Sequence, residues 1–243
     1  MDWGMGVGVL SVILLAYFMF GVSGFGSSLV AVPLLSHLMP LQSAVMLALV
    51  LDLISAVGLS QKDRQHIRYD ELKSIIPFAL LGIVIGAAML SRVPSGPLLF
   101  MLGFFVTVVA VRSLLLGPAR QIVSRRWSAL AGLAGGTASA LFGTGGPAYM
   151  SYFGHRLGDR SELRATFSGL LVLDGGLRVV VFIASGLFFT SLNLVVLLAA
   201  LPMMLLGLYF GQCAHKVLSN QQIKHLTTAL LFVSGLSLLA RGI

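Results

Sequence analysis

The sequence predicts an all-α polytopic membrane protein made of two inverted-topology repeats, each a broken or re-entrant helix pair followed by three transmembrane helices. Three observations carry this. First, 57% of the residues are hydrophobic and only 10% are charged; soluble domains keep roughly a quarter of their residues charged. Second, apolar runs of about 20 residues, the length a helix needs to cross bilayer hydrocarbon, recur along the whole chain. Third, the chain repeats itself. "LVLD" occurs at Leu49–Asp52 and again at Leu171–Asp174. The spacing Pro-x-x-x-x-Gly-x-x-x-Gly starts at Pro77 and again at Pro202. Glycine clusters, Gly24/Gly26 and Gly143/Gly145/Gly146, precede the two LVLD segments at similar distances. These landmarks keep their order at offsets of about 119 to 125 residues. They define an N-terminal repeat, 1–117, a cytoplasmic linker, 118–127, and a C-terminal repeat, 128–243, within one integrated membrane domain.

The elements follow in order. The apolar run 4–22 has Asp2 as the only charge before it and lacks the basic leader of a signal peptide, so it reads as a retained helix. It leads into the first glycine cluster, and a short helix, 27–39, leaves it. Three longer helices follow: 43–60, carrying Asp52; 74–91, carrying Gly82 and Gly86; and 97–116. The second repeat has the same parts: 128–142, the short helix 146–155, then 165–186 with Asp174 and Arg178, 190–211 with Gly207 and Gly211, and 222–240. The paired mid-helix glycines, four residues apart, read as helix-packing positions, since small residues let backbones approach in membranes. Trp3 and Trp127 fall at predicted interfaces and read as anchors.

Loop charge gives direction. Lys62, Arg64, Arg68, Lys73, Arg120, Arg125, Arg126, Arg156, Arg160, Arg164, Lys216 and Lys224 all fall in loops or helix ends that can share one face, and Arg112 lies at the inner end of its helix. Placing them in the cytoplasm leaves only Arg92 and Arg241 outside and Arg178 within the membrane, as the positive-inside rule asks. The loop 61–73 is then cytoplasmic. Its counterpart 186–190, "GLFFT", carries no charge and falls outside. The second half is therefore upside down relative to the first, an arrangement found with interrupted helices in many secondary transporters. Both termini fall on the outer face. The net charge of +8 reads as a topology signal and not as a nucleic-acid surface.

Each glycine cluster joins a helix to a short one. Helices of roughly 10 to 13 residues span about 15–20 Å, short of about 30 Å of hydrocarbon. The pairs are re-entrant hairpins or short spans, and the lengths favour hairpins approaching the midplane from opposite sides. Non-helical backbone at that depth is tolerated where protein or a water-filled cavity covers it. A helix N-terminus there offers unpaired N–H groups and partial positive charge to an anion. The substrate-binding candidates are Gly24, Gly26, Ser27, Ser28, Gly143, Thr144, Gly145, Gly146 and Arg178.

Three ionisable groups lie within predicted spans: Asp52, Asp174 and Arg178. A charge near a helix centre is costly on insertion scales, about 2.5–3.5 kcal/mol, and usually has a task. Arg178 follows Asp174 by four residues, one turn away on the same face. The two form an internal ion pair, or an anion site where substrate competes with Asp174 for the guanidinium. Asp52 has no cation partner on its own helix and is the better proton carrier; both aspartates are proton-coupling candidates. The alternative task for both is to hold helices together by hydrogen bonds. Cys213 is the single cysteine, which excludes an intramolecular disulfide and a multi-cysteine metal site. No two of the five histidines have metal-ligand spacing on a helix face, and the sequence points to no metal and no cofactor.

"GVSGFGSSLVAVPLL" from Gly21, the Asp helix, "PFALLGIVIGAAML" and the weaker second copy with "FGTGGP" resemble the sulfite exporter TauE/SafE family of bacterial membrane permeases over essentially the whole chain. The resemblance implies export of sulfite or a small organosulfur anion across the bacterial inner membrane. Ser27 and Ser28 stand where family members commonly have further glycine, which changes the donors offered to an anion. The expected activity is therefore secondary transport of a small anion coupled to protons or to membrane potential, not an enzymatic one. No Walker motif is present. The partners are the anion, protons and membrane lipid, and a homodimer is left open. Two other classes compete: a cation or metal permease using Asp52 and Asp174, which has few carboxylates for that task, and an intramembrane aspartyl protease, whose flanking motifs are missing.

Overall fold

A computed structural model describes residues 3–23, 26–59, 64–115, 123–215 and 220–241. Gly24 and the predicted loop residues 60–63, 116–122 and 216–219 lie outside the described residues. The described residues hold eleven α-helices: α1 (Trp3–Ser23), α2 (Ser27–Leu35), α3 (Leu41–Leu59), α4 (Tyr69–Arg92), α5 (Ser95–Leu115), α6 (Trp127–Phe142), α7 (Gly146–Arg156), α8 (Arg160–Ala184), α9 (Leu187–Ser191), α10 (Leu194–His215) and α11 (Asn220–Arg241). A single 3-10 turn, Arg64–His66, precedes α4, and no strand occurs among the described residues. Stretches of α1, α4, α5, α8 and α10 are long and apolar enough to cross a membrane.

Several boundaries differ from the sequence reading. Helix α4 begins five residues earlier than predicted, because Asp70 and Glu71 occupy its first turn, where acidic side chains favour the helix dipole. Helix α8 begins at Arg160 because Asp159 caps it, accepting from the Ser161 N–H at 3.3 Å. Helix α2 ends at Leu35. The Ser36 hydroxyl donates to the Pro33 carbonyl at 2.7 Å, and Pro33, inside the helix, cannot donate to its ladder. The short α9 was not expected.

The chain divides into two compact units. The first comprises Met1–Leu51, Val93–Leu116 and Ser191–Ile243; the second comprises Asp52–Arg92 and Gly117–Thr190. The division falls inside α3. In the first unit α1 packs along α10, and α5 along α11. In the second, α4 packs along α6 and against α8, and α7 packs against α6 and α8, its side chains sharing a core with those of α4.

The close crossings are made at glycine. A Cβ on Gly207 would stand 2.6 Å from the Leu14 carbonyl oxygen and 3.0 Å from Phe18 N; on Gly211 it would meet the Phe18 oxygen at 2.3 Å and Gly21 Cα at 2.8 Å. In the second unit a Cβ on Gly82 would stand 2.4 Å from the Leu133 oxygen and 2.8 Å from Thr137 N, and one on Gly86 would meet the Thr137 oxygen and Ala140 Cβ, both at 2.8 Å. Leu133, Thr137 and Ala140 follow Leu14, Phe18 and Gly21 by the same 119 residues that separate the glycine clusters. One helix crossing thus occurs twice, each time joining the leading helix of one half to the GxxxG helix of the other.

Large apolar side chains such as Val195, Phe189, Val233 and Leu198 face outward. A water-facing surface of this composition would be an association hazard; a lipid-facing one is expected.

Candidate functional site

The second glycine cluster terminates α6. Gly143 adopts the left-handed conformation, φ 71°, which glycine enters at no steric cost. Its N–H donates to the Ser139 carbonyl at 2.9 Å, the usual left-handed helix stop. Gly145 then caps α7, and Pro147 sits in the first turn, where its missing N–H costs nothing. In the first cluster the left-handed glycine is Gly26, φ 88°, which caps the start of α2; its counterpart Gly145 is right-handed, φ −78°. Ser27, Ser28 and Thr144 are all buried. Gly26, Ser27 and Ser28 belong to the first unit; Asp52, Asp174, Arg178 and the second cluster belong to the second.

The structure brings the second break together with the intramembrane ion pair. Asp174 and Arg178 are 1% and 5% exposed. Arg178 Nε lies 3.1 Å from Asp174 Oδ2, and Nη1 donates to the Ser139 carbonyl oxygen at 2.9 Å. That carbonyl also receives the Gly143 N–H, so the guanidinium grips the backbone at the helix stop. Two hydroxyls complete the cluster. Tyr149 OH donates to Asp174 Oδ1 at 2.7 Å, and Ser139 Oγ donates to Asp174 Oδ2. Despite its distance from Asp174, the Arg178 Nε–H is not aligned on any acceptor.

Glycine shapes the seat of Tyr149. A Cβ on Gly135 would lie 2.2 Å from Tyr149 Cε1, and one on Gly145 would lie 2.8 Å from Cε2. The ring therefore lies against bare backbone from both, with its hydroxyl directed at Asp174. Helix α7 is held at its other end too. Tyr152 OH donates to Glu71 Oε2 at 2.6 Å and Arg156 Nη2 to Oε1 at 2.6 Å. That hydrogen bond raises the Arg156 guanidinium above its usual value, so the tether keeps its cation. Between the two ends, Tyr149, Tyr152 and Phe153 pack with Leu72, Ile75 and Ala79 of α4 and with Phe167 and Leu170 of α8.

Asp52 is half-buried on α3, and its carbonyl receives the Ser55 hydroxyl at 2.8 Å. The neighbouring Leu53 reaches α8: its Cδ2 lies 2.6 Å from where a Gly175 Cβ would stand. The residues that follow the two LVLD copies are thus in contact. Ser139, Tyr149 and Gly135 are the participants that sequence reasoning missed. No group of three or more His, Cys, Asp or Glu able to hold a metal occurs among the described residues. The carboxylate of Asp174 is already taken by a cation and two hydroxyl donors.

Residues 9–238 match the family described as "Sulfite exporter TauE/SafE". The chain is also 26% identical, over 194 residues, to a protein of Comamonas testosteroni named "Probable inner membrane transporter protein TsaS"; the match covers 79% of this chain and 81% of that protein. No solved structure matches.

Proposed function

The chain belongs to the sulfite exporter TauE/SafE family, and from that membership we propose that it is a secondary transporter, not an enzyme, carrying a small oxyanion such as sulfite or an organosulfonate across a bacterial inner membrane. The name of the Comamonas relative supports the membrane assignment. The observation that carries the reading is the buried Arg178 guanidinium at a glycine-made helix stop, paired with Asp174 and donating to the Ser139 carbonyl. Backbone breaks at this depth belong beside protein or a cavity, and helix termini there are the recurrent ion sites of secondary transporters.

In this reading Gly143, Thr144, Gly145 and Gly146, with Arg178, bind the anion. The two halves are inverted repeats: the doubled glycine crossing supports the duplication, and the sorting of loop charge supports the inversion. Asp52 and Asp174 couple protons to the movement. An inside-negative potential favours leaving for any net anion by about 2.3 kcal/mol per charge per 100 mV, enough for export without ATP.

The test is uptake of sulfite, sulfoacetate and small carboxylates into inside-out proteoliposomes under imposed pH gradients and potentials. Saturable uptake of one anion, lost in Arg178→Gln with the protein still monodisperse, is expected. Uptake of divalent metal ions in place of every anion would replace this reading with a cation permease.

A further inference from the structure

Resting on the anion-site reading, we infer that the Asp174 carboxylate occupies the substrate's own place, and that an anion enters by exchange with it as Asp174 takes up one proton. The juxtaposition is specific. Four groups converge from three helices: Ser139 from α6, Tyr149 from α7, and Asp174 and Arg178 from α8. Both hydroxyls donate to Asp174, and the guanidinium faces the same carboxylate. That is the donor set an oxyanion needs: one cation and two rotatable hydroxyls. In this structure an internal carboxylate fills it.

The charges fix what must happen on exchange. The cluster holds one cation and one anion, both almost wholly buried. A second anion beside ionised Asp174 would place like charges a few ångströms apart in a desolvated site, and two such carboxylates cannot both stay charged. A proton on Asp174 removes the conflict. The proton comes from hydronium or a buffer acid: its bond to the donor breaks as one carboxyl O–H forms on Asp174, and the donor leaves as water or the buffer's conjugate base. Asp174 then changes from acceptor to donor, and the Ser139 and Tyr149 hydroxyls and the Arg178 guanidinium turn to the incoming anion. The titratable and charged groups facing Asp174 are Arg178 on its own helix and Tyr149 on α7; α6 contributes the Ser139 hydroxyl.

The equivalent positions of the first half carry nothing of the kind. At the repeat offsets Ser139 corresponds to Phe20, Tyr149 to Val30 and Arg178 to Ala56; only Asp174 keeps its counterpart, Asp52. The exchange site therefore occurs once per chain.

The experiment is calorimetric titration of the purified full chain with methanesulfonate, sulfoacetate and sulfite, in two buffers of different ionisation enthalpy and over a range of pH. Methanesulfonate stays ionised throughout and isolates the protein's own proton. The expected result is uptake of about one proton per methanesulfonate or sulfoacetate bound, with affinity falling about tenfold per pH unit where Asp174 is ionised. In Asp174→Asn, binding persists, the proton uptake is gone and the pH slope is flat. The infrared difference spectrum of the wild type on anion binding should gain a protonated-carboxyl band, a readout that needs no variant. Binding without proton uptake, or uptake unchanged in Asp174→Asn, overturns this inference and leaves the anion-site reading standing. No binding of any of the three anions to the wild type overturns both.

Discussion

Tyr149 shows how few atoms hold the candidate site in register. Its ring is seated against Gly135 and Gly145, and a single methyl group on Gly135 would stand 2.2 Å from a ring carbon. Something must shift, and the near neighbour is the ring that carries the hydroxyl to Asp174. Gly135→Ala should therefore behave as local overpacking, costing about 1–3 kcal/mol, and should weaken anion binding as the hydroxyl is displaced. Gly154 lies in the same short helix with nothing within 4 Å of its missing Cβ. Gly154→Ala should be neutral or stabilising by up to about 1 kcal/mol, the helix-propensity gain. Thermal unfolding in detergent, with an anion-binding isotherm for each variant, checks the pair. Equal behaviour of the two variants would remove the steric role given to Gly135.

At the scale of elements, the short helix α7 is positioned by polar contacts at both ends. Glu71 is 5% exposed and takes a hydrogen bond from Tyr152 and two from Arg156. Breaking a buried ion pair by removing one partner costs about 3–5 kcal/mol, because the remaining charge is left uncompensated. Arg156 is itself partly exposed, so Arg156→Ala should fall near the low end, about 3 kcal/mol. Glu71→Gln together with Arg156→Met, which removes both charges, should recover part of that loss. Melting temperatures of the two variants and the wild type measure it, and a double variant no better than Arg156→Ala would show that the pair is not the source of the cost.

The helix crossings make a parallel prediction. Gly82→Ala and Gly207→Ala each press a methyl group onto a facing backbone and should lower the melting temperature, while Gly176→Ala, with open space around it, should not. The glycine pairs could be read from the sequence because their four-residue spacing is a backbone property that needs no partner to be seen. The start of α4 could not: Asp70 and Glu71 look like loop residues until a helix dipole and Arg156 are placed beside them. Ser139 and Tyr149 were hidden for a related reason. A serine and a tyrosine in apolar helices have no periodic signature, and the internal repeat pointed away from them, since their counterparts are Phe20 and Val30. Asp174 and Arg178 were visible because charge in a predicted span demands an explanation and four-residue spacing supplies a partner.

For the whole molecule, the decisive property is orientation. The sorting of lysine and arginine among loops predicts that 61–73 and 186–190 lie on opposite sides of the membrane, and the inverted repeat depends on that prediction. Cys213 is the single cysteine, so Cys213→Ser gives a clean background. Gln65 and Thr190 are both exposed in the described residues and can each be replaced by cysteine. Gln65→Cys should react with a membrane-impermeant maleimide only from the cytoplasmic face, and Thr190→Cys only from the outer face. Labelling of both from one side would make the halves parallel. The two glycine-cluster helix breaks would then enter from the same side, and the repeated crossing of α1 with α10 and α4 with α6 would reflect duplication without inversion. Opposite labelling has a mechanical consequence. With one repeat facing each way, a site built in the second half alone can be reached from either side by exchanging the conformations of the two repeats, because each repeat can adopt the arrangement the other holds. The polar asymmetry between the halves, Arg178 against Ala56 and Tyr149 against Val30, then fixes where the anion is held, while the shared backbone design lets the route to it change sides.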